Sequence, residues 1–157
     1  MTDTVARFGG EVAPAIDRHL LDAARSYAYT SRAESLLLDA HKLDPECLPV
    51  YFSLYKFYFY SNRLHDAEQI VLAALDTAAR QAGIPSDWSS LQADTAAWHD
   101  TGGPAHFYLF SLKALAFIRL RLGLTQAADE LLNKLLELDT NDTVGSSVVR
   151  SLASAAK

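Results

Sequence analysis

The sequence predicts an all-α fold built from antiparallel helix pairs, and three observations carry that prediction. Apolar positions recur at helical spacing along nearly the whole chain. No hairpin dipeptide separates runs of alternating polar and apolar residues, as a β-meander would need. Most telling, Ala33-x3-Leu37 followed by Ala40 returns as Ala67-x3-Val71 followed by Ala74, an offset of 34 residues, which is a period of helix-turn-helix arrays.

Taken in chain order, an opening helix is expected first. Ser31 followed by Glu34 then reads as a capping box opening AESLLLDAHKL, which stops before Asp44-Pro45. The run VYFSLYKFYFY follows, with seven aromatic residues in eleven. Past Asn62 the next helix starts near Leu64 and runs through DAEQIVLAALDTAARQ. Gly103-Pro104 suits a helix start, because proline in the first turn loses no hydrogen bond, and this segment reaches Leu122. Gly123 ends it, and Thr125 is placed to cap QAADELLNKLLEL. After Asn141-Asp142, Val144, Val148, Val149, Leu152 and Ala156 form one helical stripe with Ser, Arg and Lys opposite, as expected of a terminal capping helix. Gly145 within it is expected to cost about 1 kcal/mol relative to alanine.

The 157 residues, 50% hydrophobic and 21% charged, make one domain with enough chain for a real core. A formal charge of -5 disfavours nucleic acid as a partner, since polyanion binders carry a basic surplus. Cys47 is the single cysteine, so no internal disulfide is expected and a reducing, cytoplasmic setting is the default. The opening MTDTVARFGGEVAP lacks the apolar core of a signal peptide, and no uncharged apolar run approaches the ~18 residues of a membrane span. Lys56 interrupts the aromatic run, which therefore does not read as a span.

A third copy of the small-residue pattern, Ala128-x3-Leu132, lies 61 residues after the second, as if 27 residues were inserted in the period. Tyr51-x2-Leu54-Tyr55-x2-Tyr58 stands upstream of Ala67, and Leu112-x2-Leu115-Ala116-x2-Arg119 upstream of Ala128. This resembles the tetratricopeptide repeat (TPR) family, whose pattern is an aromatic-x2-Leu-Gly-x2-Tyr helix, then Ala-x3-Phe, then Pro. The resemblance covers about 14–47, 48–81 and 109–142, with Pro45 as the surviving terminal proline. It implies a short right-handed α-α superhelix, a TPR-like solenoid of three helix pairs, with a helical insertion at 82–108 and the capping helix at about 142–156. Physically, small alanines let the helices of a pair approach closely, bulky residues fill the gap to the next pair, and stacking buries both faces.

The resemblance also assigns the surplus aromatics. Its phase puts Tyr51, Leu54, Tyr55 and Tyr58 inside the stack, and Phe52, Lys56, Phe59 and Tyr60 where the family lines its concave groove. The same phase adds Arg18, Asp22 and Arg25 from the first copy, and Phe110, Lys113, Phe117 and Arg121 from the third. Five basic residues against the single acid Asp22, in an acidic protein, suit an acidic or carboxylate-bearing peptide, with Phe and Tyr as apolar anchors. The alternative is that Phe52, Phe59 and Phe117 bury against the insertion and the basic groups are solvated at its rim. No Asn stands at the groove positions that the family's carboxylate-clamp variant uses, which argues against a reader of Hsp70 or Hsp90 tails.

Both tryptophans lie in the insertion. Trp88, Leu91, Thr95 and Trp98 are expected along one side of a short helix capped by Ser86, either docked on the stack and closing the groove or presented to a partner. Evidence of chemistry is thin. His99, Asp100 and His106 around Gly102-Gly103 do not match the spacing of a helical ligand pair, so no metal or other cofactor is expected. The acids before Cys47 would raise its thiol pKa, and no phosphate loop or nucleophile elbow is present. The chain thus reads as a non-enzymatic adaptor binding a peptide or protein segment. Two alternatives remain: a chaperone similar to bacterial type III secretion chaperones, and a homodimeric structural subunit whose aromatics meet their own copies.

Overall fold

The computed structural model describes residues 30–156, together with Ile16, Arg18 and Leu20. Its helices are α1 (Thr30–Leu43), α2 (Leu48–Tyr60), α3 (Leu64–Ala82), α4 (Pro104–Arg121), α5 (Thr125–Leu138) and α6 (Ser146–Ala156), with one 3₁₀ turn at Trp88–Ser90. No strand occurs among the described residues, so the all-α expectation holds. None of the described helices is long and apolar enough to cross a membrane.

The marked alanines occupy one setting. Ala33, Ala67 and Ala128 are each the fourth residue of α1, α3 and α5, and each is at most 1% exposed. Four residues on, Leu37, Val71 and Leu132 are buried, and three further on so are Ala40, Ala74 and Leu135. The turns that precede α3 and α5 match bond for bond. Ser61, Asn62 and Arg63 donate their N–H groups to the carbonyls of Phe57, Phe59 and Tyr58, and Leu122, Gly123 and Leu124 donate to those of Ile118, Leu120 and Arg119. The middle residue of each turn is left-handed, Asn62 at φ 59° and Gly123 at φ 81°, a conformation open to Gly and tolerated by Asn. Two copies of one helix-turn-helix unit are therefore present in the backbone itself.

Neighbouring helices pack in chain order, and in addition α2 packs on α4 and α4 on α6. No comparable packing joins α3 to α5, so the even-numbered helices form the closer-set layer. Ile16 and Leu20, helical and buried, belong to the same core as α1 to α6.

The tyrosines of the aromatic run fasten these elements. Tyr51 donates to the Pro45 carbonyl at 2.8 Å, Tyr55 pairs with Ser111 of α4 at 3.2 Å, and Tyr58 donates to Glu34 of α1 at 2.7 Å. Arg63 completes the last contact, bonding Glu34 at 2.9 Å and Asp66 at 2.9 Å while lying 4.6 Å above the Tyr58 ring. Between the later helices, Arg119 of α4 pairs with Glu68 of α3 at 3.1 Å. Phe57, which the repeat phase left unassigned, is buried as well.

Several local expectations are corrected. Glu34 is engaged by Tyr58 and Arg63, so the capping box with Ser31 is not what occupies it. Leu124, with no side-chain cap, precedes α5, and Thr125 is its first helical residue. Gly145 sits before α6 at φ 75°, where glycine suits the turn and carries no helix penalty. Asp139 and Asp142 build that corner instead: Asp139 accepts from the N–H groups of Thr143 and Val144, and Asp142 from the N–H of Ser147. Gly103 before Pro104 does open α4 as the sequence suggested.

The insertion does not form the expected helix. Only Trp88–Ser90 makes a 3₁₀ turn, and Asp87 rather than Ser86 caps it by accepting from the Ser89 N–H at 3.1 Å. A helical stripe was a misreading because Leu91 and Trp98 reach the core from extended backbone and turns. Leu91 is fully buried and Trp98 is 3% exposed, its indole N–H bonded to the Gln92 carbonyl at 2.8 Å. Tyr108 of α4 donates to the Ser86 carbonyl and Lys134 of α5 to that of Leu91. The segment is docked, against α4 and α5.

Candidate functional site

The closer-set layer brings together most of the residues singled out from the sequence. Phe52 of α2 meets Phe110 of α4 with ring centroids 5.5 Å apart, and one turn-pair further along Phe59 meets Phe117 at 5.0 Å. Both pairs are half-buried and lie where α2 packs on α4. Phe52 thus meets Phe110, and Phe59 meets Phe117, across the α2–α4 contact. Tyr60 continues the row, 5.5 Å from Phe59 and 67% exposed at the end of α2.

Cations stand over these rings. Lys113 Nζ lies 4.2 Å from the Phe110 centroid, Lys56 Nζ 5.8 Å from that of Phe52, and the Arg121 guanidinium 5.4 Å from that of Phe59. Arg121 also donates to Asn62 Oδ1 at 3.3 Å, which holds it across the end of α2. Such placements are worth about 0.5–1 kcal/mol at exposed sites. They leave the positive charge uncompensated. Among the described residues no carboxylate stands within ion-pair distance of Lys56, Lys113 or Arg121, whereas Arg119 and Lys134 each have one and Arg63 and Arg80 each have two. Burial lowers the Lys113 pKa, and the nearby Asp142 carboxylate only partly opposes it. A half-buried ammonium whose nearest carboxylate stands beyond ion-pair distance is a cost the fold tolerates here.

Of the remaining expected groove residues, Arg18 is helical and exposed, with no contact to these rings among the described residues. Arg25 and Asp22 lie outside the described residues. Asn62 was missed as the residue that orients Arg121, although its place in the matched turn was visible. Also legible in hindsight was the shared spacing Phe52-x6-Phe59 and Phe110-x6-Phe117, two turns of helix on facing elements.

Burial, more than the Asp44 charge, pushes the Cys47 thiol up, away from a thiolate. His99 is exposed in the insertion while His106 is buried on α4, so the two do not share a setting. A cleft of about 150 Å³ lies between the insertion and the end of α5, lined by Trp98, His99, Glu137 and Asp139 among others. Asp139 is already spent there on the turn into α6.

No family model and no solved structure matches the chain. A curated relative does: an uncharacterized 19.8 kDa protein in the nifW 5′ region of Azotobacter chroococcum mcd 1, 36% identical over 137 residues that span 86% of this chain and 73% of that protein. That identity over that share of both chains is a family relationship, and the chain belongs to the family of the Azotobacter chroococcum protein.

Proposed function

We propose that the chain is a TPR-like interaction module, without enzymatic activity of its own, that holds a segment of a partner protein in the groove between α2 and α4. The repeated helix-turn-helix backbone, the equivalent alanines and the closer-set even-numbered layer support the TPR-like reading. One observation carries the functional one: Lys56, Lys113 and Arg121 are held over paired phenylalanines with no carboxylate of the described residues in ion-pair range, in a protein of net charge -5. An acidic segment supplies the missing carboxylates through charge-assisted hydrogen bonds, and its apolar side chains rest on the ring pairs.

The test is affinity capture with the protein and with a K56E/R121E double variant. Both substituted side chains extend from the surface, so the variant is expected to keep its helical circular dichroism and thermal midpoint while losing the partner. Capture that survives both charge reversals rejects the groove.

A further inference from the structure

The two ring pairs are separated by seven residues on α2 and by seven on α4, from Phe52 to Phe59 and from Phe110 to Phe117. At ~1.5 Å of rise per residue, that is about 10 Å along the groove. Each pair has its own cations: Lys56 and Lys113 over Phe52 and Phe110, Arg121 over Phe59. The positive charge is therefore split between two stations and does not converge on one point. A chain terminus supplies a single α-carboxylate, which by itself meets one station and leaves the other bare.

The rings of each pair touch, with centroids 5.5 and 5.0 Å apart, so α2 and α4 are closed against each other there and an occupant lies on top of the ring pairs. A helical occupant needs about seven residues to cover the ~10 Å between stations, whereas a short extended segment covers it in about three. Along an extended chain three residues span about 10 Å.

Building on the groove reading above, we infer that the occupant is an internal, extended peptide segment with two acidic residues about three positions apart, each beside an apolar residue. One carboxylate meets Lys56 and Lys113 while the other meets Arg121, and the apolar neighbours lie on the two ring pairs. A free C-terminus plays no part.

Ten-residue peptides made of Glu, Leu, Ser and Gly, labelled with fluorescein at the N-terminus and, except for the third, amidated at the C-terminus, test this by fluorescence anisotropy. One peptide carries two Glu three positions apart, its isomer carries them side by side, and a third has one internal Glu and a free terminal carboxylate. The spaced peptide is expected to bind about tenfold or more tightly than either, the worth of one charge-assisted hydrogen bond. That preference is expected to vanish in K56Q/K113Q and in R121Q, each of which leaves one station without its cations. If K56Q/K113Q does not fold, K56Q/K113M, which keeps the apolar stem at the half-buried position, takes its place.

Equal affinity for the two isomers overturns the two-station inference, and so does a free-terminus peptide that binds as tightly as the spaced one. Binding of none of the peptides overturns it too. In all three cases the groove reading stands if capture of the partner is still lost in K56E/R121E, and falls with the inference if capture survives.

Discussion

Replacing Ala33, Ala67 or Ala128 with leucine is expected to destabilise the protein by a similar amount at all three positions. Each is the fourth residue of its helix and at most 1% exposed, so the added carbons have no solvent to enter and must displace the facing helix. Overpacking a filled site costs about 1–3 kcal/mol. For 157 residues, at about 2.1 cal/mol/K of unfolding entropy per residue, each kcal/mol lowers the melting midpoint by about 3 °C. The three variants should therefore melt about 3–9 °C below the parent, followed by far-ultraviolet circular dichroism. Ala73→Leu is the control, because Ala73 lies on the same helix as Ala67 but is exposed. It is expected to change the midpoint by about 1 °C or less, as surface substitutions do. If leucine is as well tolerated at Ala33, Ala67 and Ala128 as at Ala73, the helices do not approach closely there. The argument from alanine spacing to stacked pairs then fails, and with it the assignment of rings to groove and interior.

Two further outcomes follow from particular contacts. Gly123→Ala and Asn62→Ala each place a Cβ-bearing, non-Asn residue in the left-handed region of matched turns, so each is expected to lose about 1–2 kcal/mol by denaturant titration; nothing near Gly123 would clash, which leaves backbone strain as the cause. The Glu34–Tyr58–Arg63 contact has two pH limbs. Hydrogen bonding from Arg63, then from Tyr58, holds the Glu34 carboxyl below its ordinary value of 4.5, so its contribution is complete above that pH and lost as pH falls through the lower folded value. Burial first, and Glu34 second, push Tyr58 up to about 12, so its contribution is complete below its ordinary value of 10 and lost as pH rises from there to about 12. Unfolding midpoints measured against pH should flatten on the acid side in E34Q and on the alkaline side in Y58F.

Periodicity made the helices legible because it reports a physical need that repeats. A buried face must present apolar groups every three or four residues, and a close helix contact needs a small residue at the same place in each unit. The caps were harder. Ser31 with Glu34 fits a capping box in sequence, yet Glu34 gains more from Tyr58 and Arg63, 24 and 29 residues away. A long-range partner of that kind leaves no local trace. The insertion failed for a related reason: Leu91 and Trp98 had the spacing of a helix face, but burial of two anchors seven residues apart is equally met by irregular backbone, with Asp87 and the Gln92 carbonyl satisfying polar groups along the way.

The aromatic run shows how far phase alone can go. Seven aromatics on a thirteen-residue helix exceed one buried face, and the repeat phase divided them by direction. Tyr51, Tyr55 and Tyr58 point inward, and because each must also satisfy a hydroxyl, they became the fasteners to Pro45, Ser111 and Glu34. Phe52 and Phe59 carry no polar group to satisfy and lie where only half-burial is available, against the equivalent phenylalanines of α4. A phenylalanine used purely for stability would favour full burial, as Phe57 and Phe107 have. Two ring pairs half-buried beneath cations that lack a carboxylate in ion-pair range are a poor arrangement for the isolated protein, and the proposed acidic segment would improve it.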